Sequence, residues 1–168
     1  TSFNMVAGLL PMDGGEVTLG ERPLGKLPLY ARARLGIGYL PQEPTIFRGL
    51  SVIDNFIAMY EAIGQSRRNA KESSVALVTK FQLEKVTHSL GSQLSGGERR
   101  RVEMARTLIS EPKIVLLDEP FAGVDPIAVH EIRHFVEQMR DANIGVLITD
   151  HNVRETLEIC NRAYILSE

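Results

Sequence analysis

The sequence predicts an α/β fold built on a parallel sheet, with an all-helical block inserted into it. Near the end of the chain, short apolar runs bounded by turn residues alternate with amphipathic helical patterns, an order typical of parallel sheets. The stretch from Ser51 to about Leu90, in contrast, carries only helical periodicity. We therefore expect residues 1–50 and 111–168 to form the α/β core and residues 51–110 to form a helical subdomain.

The first fifty residues predict a helix, a strand, a short helix and another strand. The apolar side of the first helix comprises Phe3, Met5, Val6, Leu9 and Leu10. A strand is expected at Glu16–Leu19, after two glycines, and a short helix from Pro28 to a stop at Gly36. The apolar run "IGYL" then predicts a strand that Pro41 ends.

Two helices are expected in the helical block, separated by the polar stretch "GQSRRNAKESS". Their apolar positions are Val52, Phe56, Ile57 and Met59 in the first, and Val75, Leu77, Val78 and Phe81 in the second. A further helix should run from about Glu98 to Ser110, where Pro112 ends the connection.

The remaining elements alternate strictly between strand and helix. "KIVLLDEP" has the unbroken apolar pattern of a strand buried on both faces, and "IGVLITD" predicts a second buried strand. Between them, "PIAVHEIRHFVEQMRDA" predicts a long amphipathic helix with Pro126 at its first position. "NVRETLEICN" predicts another helix, and "AYIL" a last strand.

Composition restricts the class of protein. A chain of 168 residues is long enough for one domain with a proper core. The formal net charge of -2 shows no basic excess, which argues against a nucleic-acid partner. Cys160 is the single cysteine, so no disulfide can form within the chain. No apolar run reaches the ~20 residues that span a bilayer, so we expect any membrane contact to go through a partner.

Candidate catalytic side chains follow the predicted strands. Asp118 and Glu119 end the strand "IVLLDEP", at the sheet edge where open α/β folds bind their ligands. A strand that ends in Asp and then Glu can hold Mg²⁺ with the first carboxylate and polarise water with the second. His151 ends the next strand, where it can donate to a terminal phosphate, and Gln42 follows the strand "IGYL" as a candidate contact to metal or water.

The segment "LSGGERRRVEMARTL" allows three interpretations. Ser95 and Glu98 have the spacing of a capping box at a helix start. The paired glycines Gly96 and Gly97 also allow a ligand to approach free backbone N–H groups, which makes a good anion site. The run Arg99–Arg101 would suit a nucleic-acid patch, but the net charge argues against that, and we expect at least part of the run to be solvated surface.

Five motifs together resemble the ABC transporter ATPase family. "LSGGE" resembles its signature, "IVLLDEP" the Walker B strand, "PQEP" the Q-loop, "AGVDP" the D-loop and "TDH" the H-loop. All five occur in the family's order, with a helical block between Q-loop and signature, so that the resemblance spans essentially the whole chain. The residues in and around these motifs most resemble those of the branch that powers lipopolysaccharide export.

The resemblance implies a P-loop NTPase-like core that uses ATP and Mg²⁺. In that family pattern Asp118 supports Mg²⁺, Glu119 is the general base, and His151 contacts the γ-phosphate. Gln42 would bind near the metal and link the site to a transmembrane partner.

The resemblance also implies a head-to-tail homodimer with two ATPs between the subunits. Ser95, Gly96 and Gly97 of one subunit would contact the γ-phosphate that the other subunit holds. Glu98, which stands where most members have glutamine, belongs to the same nucleotide contact, and Asp125 would act across the dimer. Permease subunits would dock at the groove between the Q-loop and the helical subdomain, which places the protein on the cytoplasmic face of the inner membrane.

One departure from the family pattern is serious. The phosphate-binding loop G-x-x-x-x-G-K-[ST] does not occur in residues 1–168. We therefore expect Thr1 to lie just after that loop and Glu168 to fall short of a complete domain, so that this chain alone should not hydrolyse ATP.

The sequence alone leaves other functions open. Branched-chain amino-acid import ATPases have similar motifs, although they usually differ at the signature and D-loop. A soluble ABC protein acting on ribosomes or DNA is disfavoured, because such proteins usually carry two ATPase domains or a long coiled-coil insertion. A non-hydrolytic binding module is disfavoured by the presence of Glu119 and His151.

Overall fold

The computed structural model describes residues 2–124 and 126–165, which form seven α-helices and five strands. In chain order these are α1 (Ser2–Ala7), β1 (Thr18–Leu19), β2 (Arg22–Pro23), α2 (Leu29–Ala33), β3 (Ile37–Leu40), α3 (Val52–Ala62), α4 (Arg67–Lys80), α5 (Gly96–Leu108), β4 (Ile114–Asp118), α6 (Pro126–Asp141), β5 (Gly145–Thr149) and α7 (Val153–Ile159). Two short 3₁₀ turns, Glu84–Val86 and Gly91–Gln93, lie between α4 and α5.

A parallel sheet in the order β3–β4–β5 organises the core, as the sequence predicts. The register pairs Leu40 with Leu117 on one side of β4 and Asp118 with Thr149 on the other. This common register brings the carboxyl ends of all three strands to one edge of the sheet. A separate antiparallel hairpin joins β1 to β2, and only the last two residues of the strand expected at Glu16–Leu19 take part in it.

The alternating side chains of β4 divide the apolar core into two parts. Leu116 packs with Phe3, Leu24 and Ile37 in the smaller cluster, on the side of α1. Val115 and Leu117 belong to the larger cluster, which joins the helices of the 51–110 block to α6. The two faces of β4 are therefore both covered, as its unbroken apolar run predicts.

Two helix ends, the start of α4 and the end of α1, differ from those that the polar and apolar sequence pattern predicts. α4 begins at Arg67, so most of the stretch expected to separate the two helices is the first half of α4. The cause is a cap, because the Ser66 hydroxyl accepts a hydrogen bond from the Asn69 N–H at 3.3 Å. α1 ends at Ala7, before Gly8 with its φ of +82°, and this turns Leu9 and Leu10 out to the surface.

Two strand predictions also need correction. β5 is an edge strand of the described sheet rather than a buried one, and Leu147 is 40% exposed. The expected strand "AYIL" does not form over residues 163–165, because Tyr164 and Ile165 project into solvent without a strand beside them in the described part of the chain. Its fourth residue, Leu166, lies outside the described residues.

No helix within residues 2–124 and 126–165 has the length and apolar character needed to cross a membrane.

Candidate functional site

Asp118 lies at the centre of the carboxyl edge of the sheet, held by its two neighbouring strands. Its Oδ1 accepts a hydrogen bond from the Thr149 hydroxyl at 2.8 Å, and its Oδ2 accepts one from the Tyr39 hydroxyl at 3.3 Å. Burial, together with the charge and hydrogen bond of Asp118, raises the pKa of Tyr39 to about 12. The carboxylate of Asp118 therefore has one fixed orientation.

Glu119 and His151 lie beyond the ends of β4 and β5 and approach each other. His151 Nδ1 lies 3.7 Å from Glu119 Oε2. The side chains are 74% and 39% exposed, respectively, so both remain open to a ligand. Glu119 has a φ of +43°, a strained conformation for a residue with a side chain, and such strain is concentrated at functional sites.

A cavity of about 240 Å³ brings several predicted residues together. Its lining includes Gln42 from the segment after β3, Gly96 and Gly97 from α5, and Glu119 from the end of β4. These four predicted site residues, which come from three separate motifs, thus lie around one opening, whereas Asp118, His151, Ser95 and Glu98 are not part of its lining. Asp125, the remaining predicted site residue, lies outside the described residues.

The amino terminus of α5 carries the predicted capping box. The Ser95 hydroxyl accepts from the Glu98 N–H at 3.3 Å, while Glu98 Oε2 accepts from the Ser95 N–H at 2.9 Å and from its hydroxyl at 2.7 Å. These hydrogen bonds from Ser95 lower the pKa of Glu98. A Cβ added at Gly96 would meet no heavy atom within 4 Å, so the open face of the first turn is free for a ligand.

The arginines that follow make contacts within the chain. Arg100 is only 12% exposed, donates to the Pro41 carbonyl at 3.3 Å and lies 3.8 Å from the Glu103 carboxylate. Arg101 lies 3.7 Å from the Glu131 carboxylate on α6. Arg100 is therefore not part of the solvated surface expected within this run, because its side chain packs against the segment that follows β3.

That segment is bound to α5 by a pair of side chains that sequence analysis did not single out. Glu103 Oε1 accepts from the Thr45 N–H and Arg106 Nη1 donates to the Thr45 carbonyl, both at 2.7 Å. The Arg106 guanidinium also lies 4.5 Å from the centre of the Phe47 ring, a cation–π contact. The helical spacing of 103 and 106 was visible in the sequence, but their shared backbone target was not.

α3 holds the backbone of Phe47, in the same segment, in a similar way. The side chain of Asn55 is fully buried, accepts from the Phe47 N–H at 2.9 Å and donates to the Phe47 carbonyl at 3.1 Å. With its backbone fixed, Phe47 leaves 43% of its side chain exposed.

The residues at the sheet edge fit a magnesium–nucleotide site. In the described part of the chain no group of three or more acidic, histidine or cysteine side chains could hold an ion by itself. Mg²⁺ typically takes only one or two protein carboxylates and completes its shell with water and substrate phosphates. Asp118 fits that requirement as a carboxylate that is held in place at the end of β4, next to Glu119, which lines the cavity.

A parallel sheet with an acidic strand end, a facing histidine and an open glycine-rich helix start is typical of nucleotide-hydrolysing domains of the P-loop class. The chain belongs to the ABC transporter family, whose model matches residues 1–122.

Comparison with individual proteins places it among the ATP-binding subunits of that family. The chain is 53% identical over 169 residues to the lipopolysaccharide export system ATP-binding protein LptB of Escherichia coli strain K12, and 50% identical over 168 residues to LptB of Acidithiobacillus ferridurans. Both matches cover 100% of this chain and 70% of the relative. A solved ATP-binding cassette of an ABC transporter is similar with a TM-score of 0.77 and 26% identity, over 90% of this chain and 65% of that one.

Proposed function

We propose that this chain belongs to the ATP-hydrolysing subunit of a transporter that exports lipopolysaccharide. The observation that carries the proposal is an identity of half or more, over the whole chain, with relatives named for that export system. The approach of His151 to Glu119 at the sheet edge supports hydrolysis as the activity.

In the proposed reaction each residue at the sheet edge has a separate role. Asp118 would hold Mg²⁺, which when bound neutralises charge on the phosphate oxygens. Glu119 would accept a proton from the attacking water, His151 would donate a hydrogen bond to the γ-phosphate, and Gln42, which lines the cavity, would contact the metal or its water. The exposure of Glu119 and His151 leaves both side chains accessible to substrate from the solvent side.

The second half of each site would come from a second copy of the chain in a head-to-tail dimer. Ser95, Gly96 and Gly97 would present the amino terminus of α5 to the γ-phosphate, with Glu98 as the cap and Asp125 acting across the interface. The open space at Gly96 supports this assignment, because a phosphate can approach the backbone there.

The membrane partner would dock beside the segment that α3 and α5 hold. Phe47 is exposed there, and a mainly apolar cavity of about 370 Å³ lies next to it, lined among others by Met59, Ile63 and Arg106. Permease subunits at this groove would place the protein on the cytoplasmic face of the inner membrane. The same proposal divides the chain into a core of residues 1–50 and 111–168 and a helical subdomain of residues 51–110.

Glu119→Gln in the complete gene product that contains this chain tests the activity. We expect ATP binding with unchanged affinity and a loss of turnover of about 100-fold or more, since general bases contribute about 10²–10⁴-fold. Glu137→Gln, an exposed carboxylate on α6, is the matched control and should leave turnover unchanged. Normal turnover by Glu119→Gln would remove Glu119 as the base.

Gly96→Ala separates folding from nucleotide contact. The added methyl has open space, so the thermal midpoint should not fall, yet ATP-driven dimerisation and turnover should be lost because the methyl occupies the phosphate approach. Gly14→Ala, also in open space, is the control. Full dimerisation by Gly96→Ala would contradict the trans assignment.

Two measurements address the remaining parts of the proposal. The 168-residue chain alone should show no Mg²⁺-dependent ATPase activity, because it contains no G-x-x-x-x-G-K-[ST] loop; appreciable turnover would refute this. The complete gene product should sustain growth of a bacterium depleted of its own lipopolysaccharide export ATPase. Failure there, with rescue of a branched-chain amino-acid import mutant, would move the protein to that branch.

A further inference from the structure

The side chain of Asp150 joins the loops that follow β4 and β5. It is fully buried (0% exposed), although it lies between the strand residue Thr149 and the exposed His151. Its Oδ2 accepts a hydrogen bond from the Phe121 N–H at 2.9 Å, and its Oδ1 accepts one from the Asn152 N–H at 2.7 Å. One carboxylate therefore holds the backbone of two separate loops.

The first of these bonds fixes the turn that carries Glu119. The Glu119 N–H donates to the Thr149 carbonyl at 2.8 Å, and the Phe121 N–H donates to Asp150. Pro120, between them, has no N–H to donate. Both backbone donors of the turn are thus bound to the end of β5, and this holds Glu119 at its positive φ of +43°.

The second bond fixes the backbone of His151. A bond from the carboxylate of one residue to the N–H two residues later is an Asx turn, and His151 is its central residue. His151 Nδ1 lies 3.9 Å from Asp150 Oδ1 and 3.7 Å from Glu119 Oε2. The position of the imidazole over Glu119 thus depends on the same carboxylate.

We propose that Asp150 is a positioning residue that sets the separation of Glu119 and His151 by binding one backbone N–H in each of their loops. The inference rests on the proposed hydrolytic function. It requires an acidic side chain at 150, since only a carboxylate offers two acceptor oxygens and no donor. An asparagine would place an NH₂ group against one of the two N–H donors and leave that donor unpaired.

Asp150→Asn in the complete gene product is the first test, with Asp141→Asn as the matched control, because Asp141 is an exposed carboxylate at the end of α6. The kcat for ATP should fall about 10- to 100-fold, the size of effect that small misplacements of catalytic groups produce. KM for ATP should change less than about threefold, because Asp150 is buried and cannot touch the nucleotide. A purely stabilising role would lower the thermal midpoint without this split between kcat and KM.

Amide hydrogen exchange on the unmutated protein is a second measurement, which does not depend on whether the variant folds. The N–H groups of Phe121 and Asn152 should both exchange slowly. Exchange at either amide at the rate of an unprotected loop would overturn the proposal, as would a normal kcat in Asp150→Asn.

The outcomes separate this inference from the proposed function. Unmutated gene product that hydrolyses ATP, with an inactive Glu119→Gln and a fully active Asp150→Asn, refutes the positioning role alone. Loss of the proposed function would instead show as the absence of turnover in the unmutated gene product, or as normal turnover by Glu119→Gln.

Discussion

Replacement of Glu103 tests how firmly the segment after β3 is attached to α5. The Glu103 side chain is 4% exposed, accepts from the Thr45 N–H at 2.7 Å and lies 3.8 Å from Arg100. Burial lowers the pKa of both Arg100 and Arg106, and the charge of Glu103 opposes that effect. Glu103 therefore supplies both an acceptor and the negative charge that balances two partly buried guanidiniums.

The acceptor and the charge of Glu103 contribute different amounts to the free energy of unfolding, and two substitutions separate them. Glu103→Ala removes a hydrogen bond to a charged group and leaves buried cations without their partner, which costs about 3–5 kcal/mol. Glu103→Gln keeps an acceptor oxygen for the Thr45 N–H and removes only the charge, so about 1–2 kcal/mol should be lost. The exposed pair Arg68–Glu72 on α4 is the control, and Glu72→Ala should cost about 0.3–0.5 kcal/mol.

Equilibrium urea unfolding of the purified protein measures these free energies, and a double-mutant cycle with Arg106→Met gives the coupling between the two side chains. Glu103→Ala within about 0.5 kcal/mol of the unmutated protein would refute the reasoning, because that is the range of unremarkable surface substitutions. Equal losses for Glu103→Ala and Glu103→Gln would show that the charge, and not the bond to Thr45, carries the effect.

Three further predictions concern titration and packing. Tyr39 has a pKa of about 12, raised from the usual tyrosine pKa of ~10, so its contribution to stability is complete below pH ~10 and is lost as the pH rises through 12. Spectrophotometric titration of the protein and of Tyr39→Phe measures this. If the phenol that the substitution removes ionises near pH 10, the prediction is contradicted. The pKa of Glu98 is lowered in the folded protein, so its contribution to the free energy of unfolding is present above pH ~4.3 and is lost as the pH falls through the folded-state pKa. In Glu98→Gln the free energy of unfolding should therefore depend less steeply on pH in the acid range. An unchanged slope would count against the capping box. A Cβ at Gly91 would lie 2.9 Å from the Phe47 carbonyl oxygen, so Gly91→Ala should lower the free energy of unfolding in urea by about 1–3 kcal/mol. Gly49→Ala, where a Cβ has open space, should lower it little. Equal losses in the two variants would contradict the close contact at Gly91.

Local signals were sufficient for the elements that position the site. β3 occupies the predicted residues Ile37–Leu40, and β4 lies within its predicted apolar run. The cap of α5 forms as its Ser–x–x–Glu spacing indicates. Because parallel strands end at one edge of a sheet, these assignments alone were enough to predict that Asp118, Glu119 and His151 lie near one another.

Features that depend on tertiary context could not be predicted. An apolar run shows that a strand can be buried, but not whether the fold covers it, and β5 illustrates the difference with Leu147 exposed. Asn55, Glu103 and Asp150 are common residue types in helices and loops, and no local pattern shows that their side chains are buried. Their partners are backbone groups, which have no sequence signature.

These three buried side chains nevertheless share one physical role. That role applies both at the proposed nucleotide site and at the segment proposed to contact the membrane partner. Each pairs loop N–H or C=O groups that would otherwise be costly to bury, and so fixes the backbone of a loop. Glu103 binds the backbone of Thr45 from within α5, whose first residue, Gly96, is the proposed phosphate contact. A helix rises 1.5 Å per residue, so Gly96 and Arg106 are about 15 Å apart on one rigid body. The backbone of Thr45 and the ring of Phe47 are therefore attached to the same helix that carries the proposed phosphate contact.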